Sequence, residues 1–469
     1  MDVTLISKDS YFLFRKCLGT IFILDLLYFA PWFQMMFGRE YQFNSPVQNR
    51  ITASLLFLLW FLSSLSLIII ENPFLTAILL TIVFRFYYIE SRTTNLFRGG
   101  GAVGILPAVI VTYIALIETA IFIELNWINC QFILLIMIFQ IGIFMLDSSF
   151  NKMSSGYFRN QGFQFTVYNP FWTFWANFKT LRLIPSSFWR LINIFLPITQ
   201  CLIASLLLFP NFQQYGVLLL SMGFVILTFI VRLGSLTILL SSLFVLYFDG
   251  IAPSYQLINF NELMMRIEPE VMIMAFLYLF IILFGQILVW LNYYKNIFLP
   301  VPLQKAVNFI NSHLPILVWR VFTPDVVNLH CLVFEVDKIG SRRLLNKKNF
   351  TTDFGYNFFH KLRFFNVAES CVLSSIFNSV KYDRNNFSST VDKIKRYCHT
   401  ISPHLSDSDS SIEFEVYHVV LNEGAPPTDK LVSKWFFDGS EVKNSFVSDD
   451  SHKNISTFLR PYAGLGSYK

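Results

Sequence analysis

The sequence predicts a polytopic α-helical membrane protein of about eight or nine membrane helices with a C-terminal extramembrane α+β domain, and three observations carry that expectation. Hydrophobic residues make up 54% of the 469 residues and charged ones only 14%, against roughly 25% charged in ordinary soluble domains. Apolar runs of helical length recur from residue 12 to residue 293, each near or slightly below the ~20 residues a helix needs to cross ~30 Å of hydrocarbon. The first of the seven histidines is His313, so the chain changes chemistry near residue 300. The expected division is a membrane domain over 1–300 and an extramembrane domain over 301–469.

The candidate spans are 12–36, 51–70, 73–90, 102–126, 129–147, 187–209, 213–232, 234–249 and 270–293. No small-residue cleavage site follows the first run, so it is expected to stay as a membrane helix. Glu71-Asn72-Pro73 and Pro210-Asn211 break the apolar pattern, because proline cannot continue a helix and biases the preceding residue away from it. The segment 234–249 is short and decides whether the number of spans is odd or even. Residues 148–190 interleave Lys152, Arg159, Lys179, Arg182 and Arg190 with tryptophans and other aromatics, which suits the headgroup layer and predicts an interfacial helix near 170–183. Orientation stays open, since Lys8, Arg15 and Lys16 claim the same side as this basic loop five spans away.

Beyond residue 318 the pattern alternates. Residues 329–337 and 412–420 read as strands, and 367–381 and 389–400 as helices. Asn422-Glu423-Gly424 with Pro426-Pro427 is a turn signal, and 438–458 reads as loop. The net charge of +6 is too small for a nucleic-acid surface, and no nucleic-acid partner is expected. The six cysteines are dispersed without a C-x-x-C pair, so they point to neither zinc nor redox chemistry. With no histidine before residue 313, a histidine-ligated haem or metal in the membrane region is excluded.

Charges inside the apolar spans carry the candidate chemistry, because each costs at least ~2.5 kcal/mol at the bilayer centre. Arg85, Glu124 and Arg232 lie near span ends and are expected to reach the interface. Asp25 and Glu118 are deeper, and two readings stay open for them, a buried ion pair or the polar lining of a cavity. Gly99, Gly101 and Gly104 match G-x-G-x-x-G, but no strand precedes them and an apolar span follows, so a dinucleotide site is rejected. Free amides at Gly101, with Arg92 and Arg98 nearby, make a candidate anion site.

The run Asp147-Ser-Ser-Phe-Asn-Lys-Met-Ser-Ser-Gly-Tyr-Phe-Arg-Asn-Gln-Gly-Phe-Gln-Phe165, after an apolar helix containing Gln140, resembles the HTTM (horizontally transferred transmembrane) domain family, which includes vitamin K-dependent gamma-carboxylase. The family's Lys-Leu pair, aromatic and glycine are reproduced by Lys152-Met153, Tyr157 or Phe158, and Gly162. Arg15 through Asp25-Leu26, Arg92 through Gly101, Trp319-Arg-Val-Phe-Thr-Pro324 and Arg396-Tyr397-Cys398 are similar to further elements. The resemblance covers residues 12–400 and implies that Lys152 is a catalytic base. Desolvation at the end of an apolar span is what makes a lysine competent for that role. The chain departs from the carboxylase at Gly101, where the family often has an acid, and over 236–249, where the carboxylase has a histidine. Glutamate carboxylation is therefore not expected, and the resemblance to bacterial members that mature a secreted peptide is the better fit.

These readings predict an integral membrane enzyme of the cell or endoplasmic reticulum membrane that uses Lys152 to modify or mature a peptide or lipid-soluble substrate at the membrane face. The alternative is a non-catalytic chaperone, transporter or immunity-type partner. The sequence assigns no cofactor and no metal site.

Overall fold

The computed structural model describes residues 2–30, 50–84, 101–154, 156–159, 162–169, 172–173, 183–231, 233–248, 257–294, 300, 302–303, 305–306, 329–345, 372–373, 376–377, 387–401, 410–422 and 425–446. In chain order these form β1 (Asp2–Thr4), α1 (Lys8–Phe29), α2 (Arg50–Ile69), α3 (Phe74–Phe84), α4 (Gly101–Phe122), α5 (Trp127–Ser154), α6 (Phe163–Tyr168), α7 (Ser186–Leu208), α8 (Gln213–Ile230) and α9 (Ser235–Ser242), the last continued by a 3₁₀ helix over Leu243–Tyr247. After them come β2 (Leu257–Asn259), α10 (Phe260–Met265), α11 (Pro269–Tyr294), β3 (Leu329–Val336), β4 (Arg342–Leu344), α12 (Phe387–Ile401), β5 (Ser411–Asn422), β6 (Ala425–Phe437) and β7 (Val442–Phe446). The chain forms two compact units, one from 1–151, 196–229 and 233–319, the other from 152–195, 230–232 and 320–469.

The long helices fall on the apolar runs, and among the described residues four are long and apolar enough to cross a membrane: Trp127–Arg159, Ser186–Leu208, Pro210–Ile230 and Pro269–Leu288. Their burial differs sharply. In the first of these, 89% of the apolar window is buried, against 22% in the last, so α5 is enclosed while α11, like α7 and α8, exposes leucine, isoleucine and phenylalanine along its length. Shorter apolar helices cover 54–69, 74–84, 106–122 and 236–247. Ser7 caps α1 by accepting from the Ser10 amide. The break at Glu71-Asn72-Pro73 separates α2 from α3, and Pro210–Phe212 is a 3₁₀ turn between α7 and α8.

Contacts within the first unit fix the helix directions. Arg15 reaches the carbonyls of Ile70 and Glu71, and Gly19 lies against Ser64, so α1 and α2 are antiparallel. Phe74 stacks on Phe122 and Thr81 donates to the Val111 carbonyl, so α3 and α4 are antiparallel too. The start of α5 meets the start of α1, with the Trp127 indole donating to the Ile6 carbonyl at 3.1 Å. Along α7, Pro197 meets Ser149 and Leu207 meets Gly142, which runs it back against α5. Finally, the Glu268 amide donates to Asn129, the Tyr278 hydroxyl to Gln140 and the Trp290 indole to Asp147, so α11 runs parallel to α5. One end of the bundle, the strand end, holds the antiparallel pair β1–β2, with Val3 opposite Ile258. Leaving aside the six-residue α6 and α10, the successive helices α1–α5, α7, α8, α9 and α11 alternate in direction between this end and the far end. The return from α8 to β2 uses α9 and its 3₁₀ extension, about 22 Å long at 1.5 and 2.0 Å per residue.

In the second unit, β4-β3-β5-β6-β7 form one antiparallel sheet. Cys331, Val333, Ile412, Phe414, Val416, Trp435 and Phe437 bury one face. The amphipathic α12 packs on β6 and β7, with the Tyr397 ring against Phe414. Two expectations are corrected here. Residues 438–458 are not all loop, because Asp438 accepts the amides of Ser440 and Glu441 and, with Gly439 at φ +93°, turns the chain back into β7. Pro426 and Pro427 lie inside β6 rather than in the turn, at the start of a strand where a missing donor is tolerated. The expected helix near 170–183 falls almost entirely outside the described residues.

Candidate functional site

The expected span 129–147 continues as helix to Ser154, which carries a polar run into the end of an apolar helix. Asp147, Ser148, Ser149, Asn151 and Lys152 are all buried. The Asn151 amide donates to both the carbonyl and the carboxylate of Asp147 at 3.0 Å, an i, i+4 bond that ties the last turns together. The Trp290 indole donates to the other Asp147 oxygen, and the Ser149 hydroxyl to the Pro197 carbonyl at 2.8 Å. The Asp147 carboxylate, the Asn151 amide nitrogen and the Ser149 hydroxyl are thus buried with hydrogen-bond partners, which offset the cost of their burial. Lys152 stands in the last turn of α5 at 4% exposure, where a cation opposes the negative end of the helix dipole.

Immediately beyond, a 3₁₀ turn over Tyr157–Arg159 buries Tyr157. Gly162 lies flat against that ring: a Cβ here would stand 2.6–2.7 Å from three of its carbons. Asn193 then clasps the start of α6, accepting from the Phe163 amide at 2.8 Å and donating to Gln164 at 2.8 Å. The aromatic and the glycine singled out by sequence are therefore in direct contact.

The other candidates, Asp25 and Glu118, stand on α1 and α4. Glu118 is completely buried and pairs with Arg15, itself 2% exposed, at 2.9 Å. Tyr11 donates to the same carboxylate oxygen at 2.7 Å. Since Tyr11 also meets the Trp127 ring, Glu118 belongs near the strand end, whereas Asp147 belongs near the far end. Asp25 is buried on α1, a helix that packs on α9. Gly101 opens α4; Arg92 and Arg98 lie outside the described residues. Sequence reasoning missed Arg15 as the partner of Glu118 and Trp290 as the partner of Asp147. No local signal announces either, because 103 and 143 residues separate the partners. No group of three His, Cys, Asp or Glu side chains suited to a metal occurs among the described residues.

On the sheet face opposite the α12 side, Glu413 and Glu415 are buried beneath Arg342 and Lys434, with four contacts of 2.8–3.2 Å. Beside them the His330 ring stacks on Tyr417 at 5.2 Å. Burial, with His418 nearby, depresses the His330 pKa from 6.5 to about 4. A histidine kept neutral in the fold takes up a proton more readily when unfolded, so stability is full above pH 6.5 and falls as the pH drops toward 4. The expected loss is about 3 kcal/mol at 1.36 kcal/mol per unit. Urea midpoints measured by pulse proteolysis of the sheet should fall between pH 7 and pH 4.5, and His330→Phe, which keeps a ring on Tyr417, should remove most of that fall. Equal pH dependence in the two proteins would rule His330 out as the source.

Comparison of the chain with protein-family models, curated proteins and solved structures finds no match.

Proposed function

We propose that the chain is a polytopic membrane protein of the HTTM type, with nine crossings, that acts as a lysine-based enzyme on a peptide or lipid-soluble substrate, with Lys152 as its base. One observation carries the reading: Lys152 is buried in the last turn of α5, the most buried of the four membrane-length helices. A lysine that only anchors a helix extends its ammonium into the headgroup layer, and 4% exposure does not fit that role. The resemblance around Lys152-Met153, Tyr157 and Gly162 supports the same residue. The alternation of nine helices between two ends of the bundle, with lipid-sized apolar residues facing outward, supports the crossings.

The test uses reactivity rather than an assumed substrate. A small apolar isothiocyanate reacts only with an amine that has released its proton. At pH 7 in membranes, Lys152 should be modified ahead of the exposed Lys338 and Lys443, read by mass spectrometry of the digested chain. Modification of the surface lysines with Lys152 untouched favours the non-catalytic alternative, a chaperone, transporter or immunity-type partner.

A further inference from the structure

We propose that Tyr11, Arg15 and Glu118 form a proton-binding switch, in which Glu118 takes up a proton and Arg15 moves from its carboxylate to that of Glu71. The switch does not involve Lys152 and is independent of the enzymatic reading above. The buried ion pair is only half made. The Arg15 contact at 2.9 Å and the Tyr11 hydroxyl at 2.7 Å both fall on one oxygen, Glu118 Oε1. Glu118 Oε2 and Arg15 Nε are buried and have no hydrogen-bond partner among the described residues. A buried pair offsets the cost of taking two charges out of water only when its remaining lone pairs and protons are bonded too. This geometry is therefore not that of a bridge built for stability alone, and the unoccupied carboxylate oxygen is where a proton binds. Intramembrane carboxylates are a recurrent element of proton relays.

The neighbours suit both protonation states. Tyr11 donates to the carboxylate and can accept from a carboxyl O–H, since a phenol does both. Protonation would strand the Arg15 charge if it had no second partner. Its guanidinium already donates to the Ile70 and Glu71 carbonyls at 2.9 and 2.8 Å, and Glu71 is exposed. A second carboxylate thus stands on a residue whose backbone Arg15 already holds, and Ile70 and Glu71, both exposed, bring water close to the pair as the proton's source. Of the other elements on α4, α5 brings Cys130, completely buried, which interacts electrostatically with Glu118 and with Lys8. Lys8 and Asp9 are exposed at the start of α1, and α3 and α9 carry no titratable side chain. One carboxyl exchanging its proton while one arginine changes partner is a two-state element. It decides whether Arg15 of α1 is tied to α4 or to the end of α2.

Infrared difference spectra of the full chain in detergent, taken as the buffer goes from pH 8 to pH 5, test the switch. The unaltered chain should gain the carbonyl stretch of a buried, un-ionised carboxyl, and Glu118→Gln should lack that band. Tyr11→Phe keeps a ring on Trp127 and removes only the hydroxyl, so the band should persist at higher frequency, with one hydrogen bond fewer. Glu71→Gln removes the carboxylate that receives Arg15, so the band should grow in only at lower pH. Absence of the band from the unaltered chain, or its survival in Glu118→Gln, overturns proton binding at Glu118. Should Glu118→Gln fail to fold, a band that Tyr11→Phe leaves at the same frequency overturns it equally. A titration that Glu71→Gln leaves unmoved overturns the exchange of partners.

Discussion

Arg15→Met is expected to destabilise the helical unit by about 3–5 kcal/mol, the range for removing one partner of a buried ion pair. Arg15 donates at 2.9 Å to Glu118 and at 2.8 and 2.9 Å to the Glu71 and Ile70 carbonyls at the end of α2. Its loss strands a fully buried carboxylate and uncaps carbonyls that α2 cannot satisfy itself. Methionine fills similar volume, so a cavity is not the cause. The double variant Arg15→Met with Glu118→Met removes both charges and should recover most of the loss, because an apolar pair avoids the desolvation cost. Thermal melts in detergent of the single and double variants decide the matter. A single variant as stable as the unaltered chain would show that the pair contributes nothing.

On the proposed role of Lys152 as a base, Lys152→Met should preserve abundance in the membrane fraction while any peptide modification that depends on the chain falls by about 10²–10⁴-fold, the loss typical of a missing general base. Methionine keeps the apolar stem and removes only the amine. Lys152→Arg should fail to the same degree, because a guanidinium does not release its proton near neutral pH. Peptide mass spectrometry of cells making each variant, beside cells without the chain, reads the effect. Full function in the arginine variant would end the proposal of a base, since any interface anchor tolerates that exchange.

Much of the helical unit was legible because hydrophobic periodicity and length are local properties. The runs at 51–70, 187–209 and 270–293 became α2, α7 and α11 with ends shifted by a few residues. The strands at 329–337 and 412–420 became β3 and β5, set by alternation. What failed locally was where the deciding contact is distant. The end of α5 was placed at residue 147 because Asp147 through Lys152 look like a polar loop; the helix continues because Trp290 and Pro197 supply partners that make those groups bearable inside it. The strand β7 was hidden in a polar segment and is created by its pairing with β6.

The sequence by itself determined that this chain is apolar enough to hold membrane-length helices, that a polar α+β region follows, and that Lys152, Asp25 and Glu118 are the charges to explain. Only the tertiary structure decided the partners of Glu118 and Asp147. Glu118 belongs to Arg15 near one end of the bundle, while Asp147 near the other belongs to Trp290 and Asn151. The physical reason is that a charge in an apolar helix reveals its cost in the sequence, but the group that offsets that cost comes from another helix, and helix packing, not spacing along the chain, chooses it.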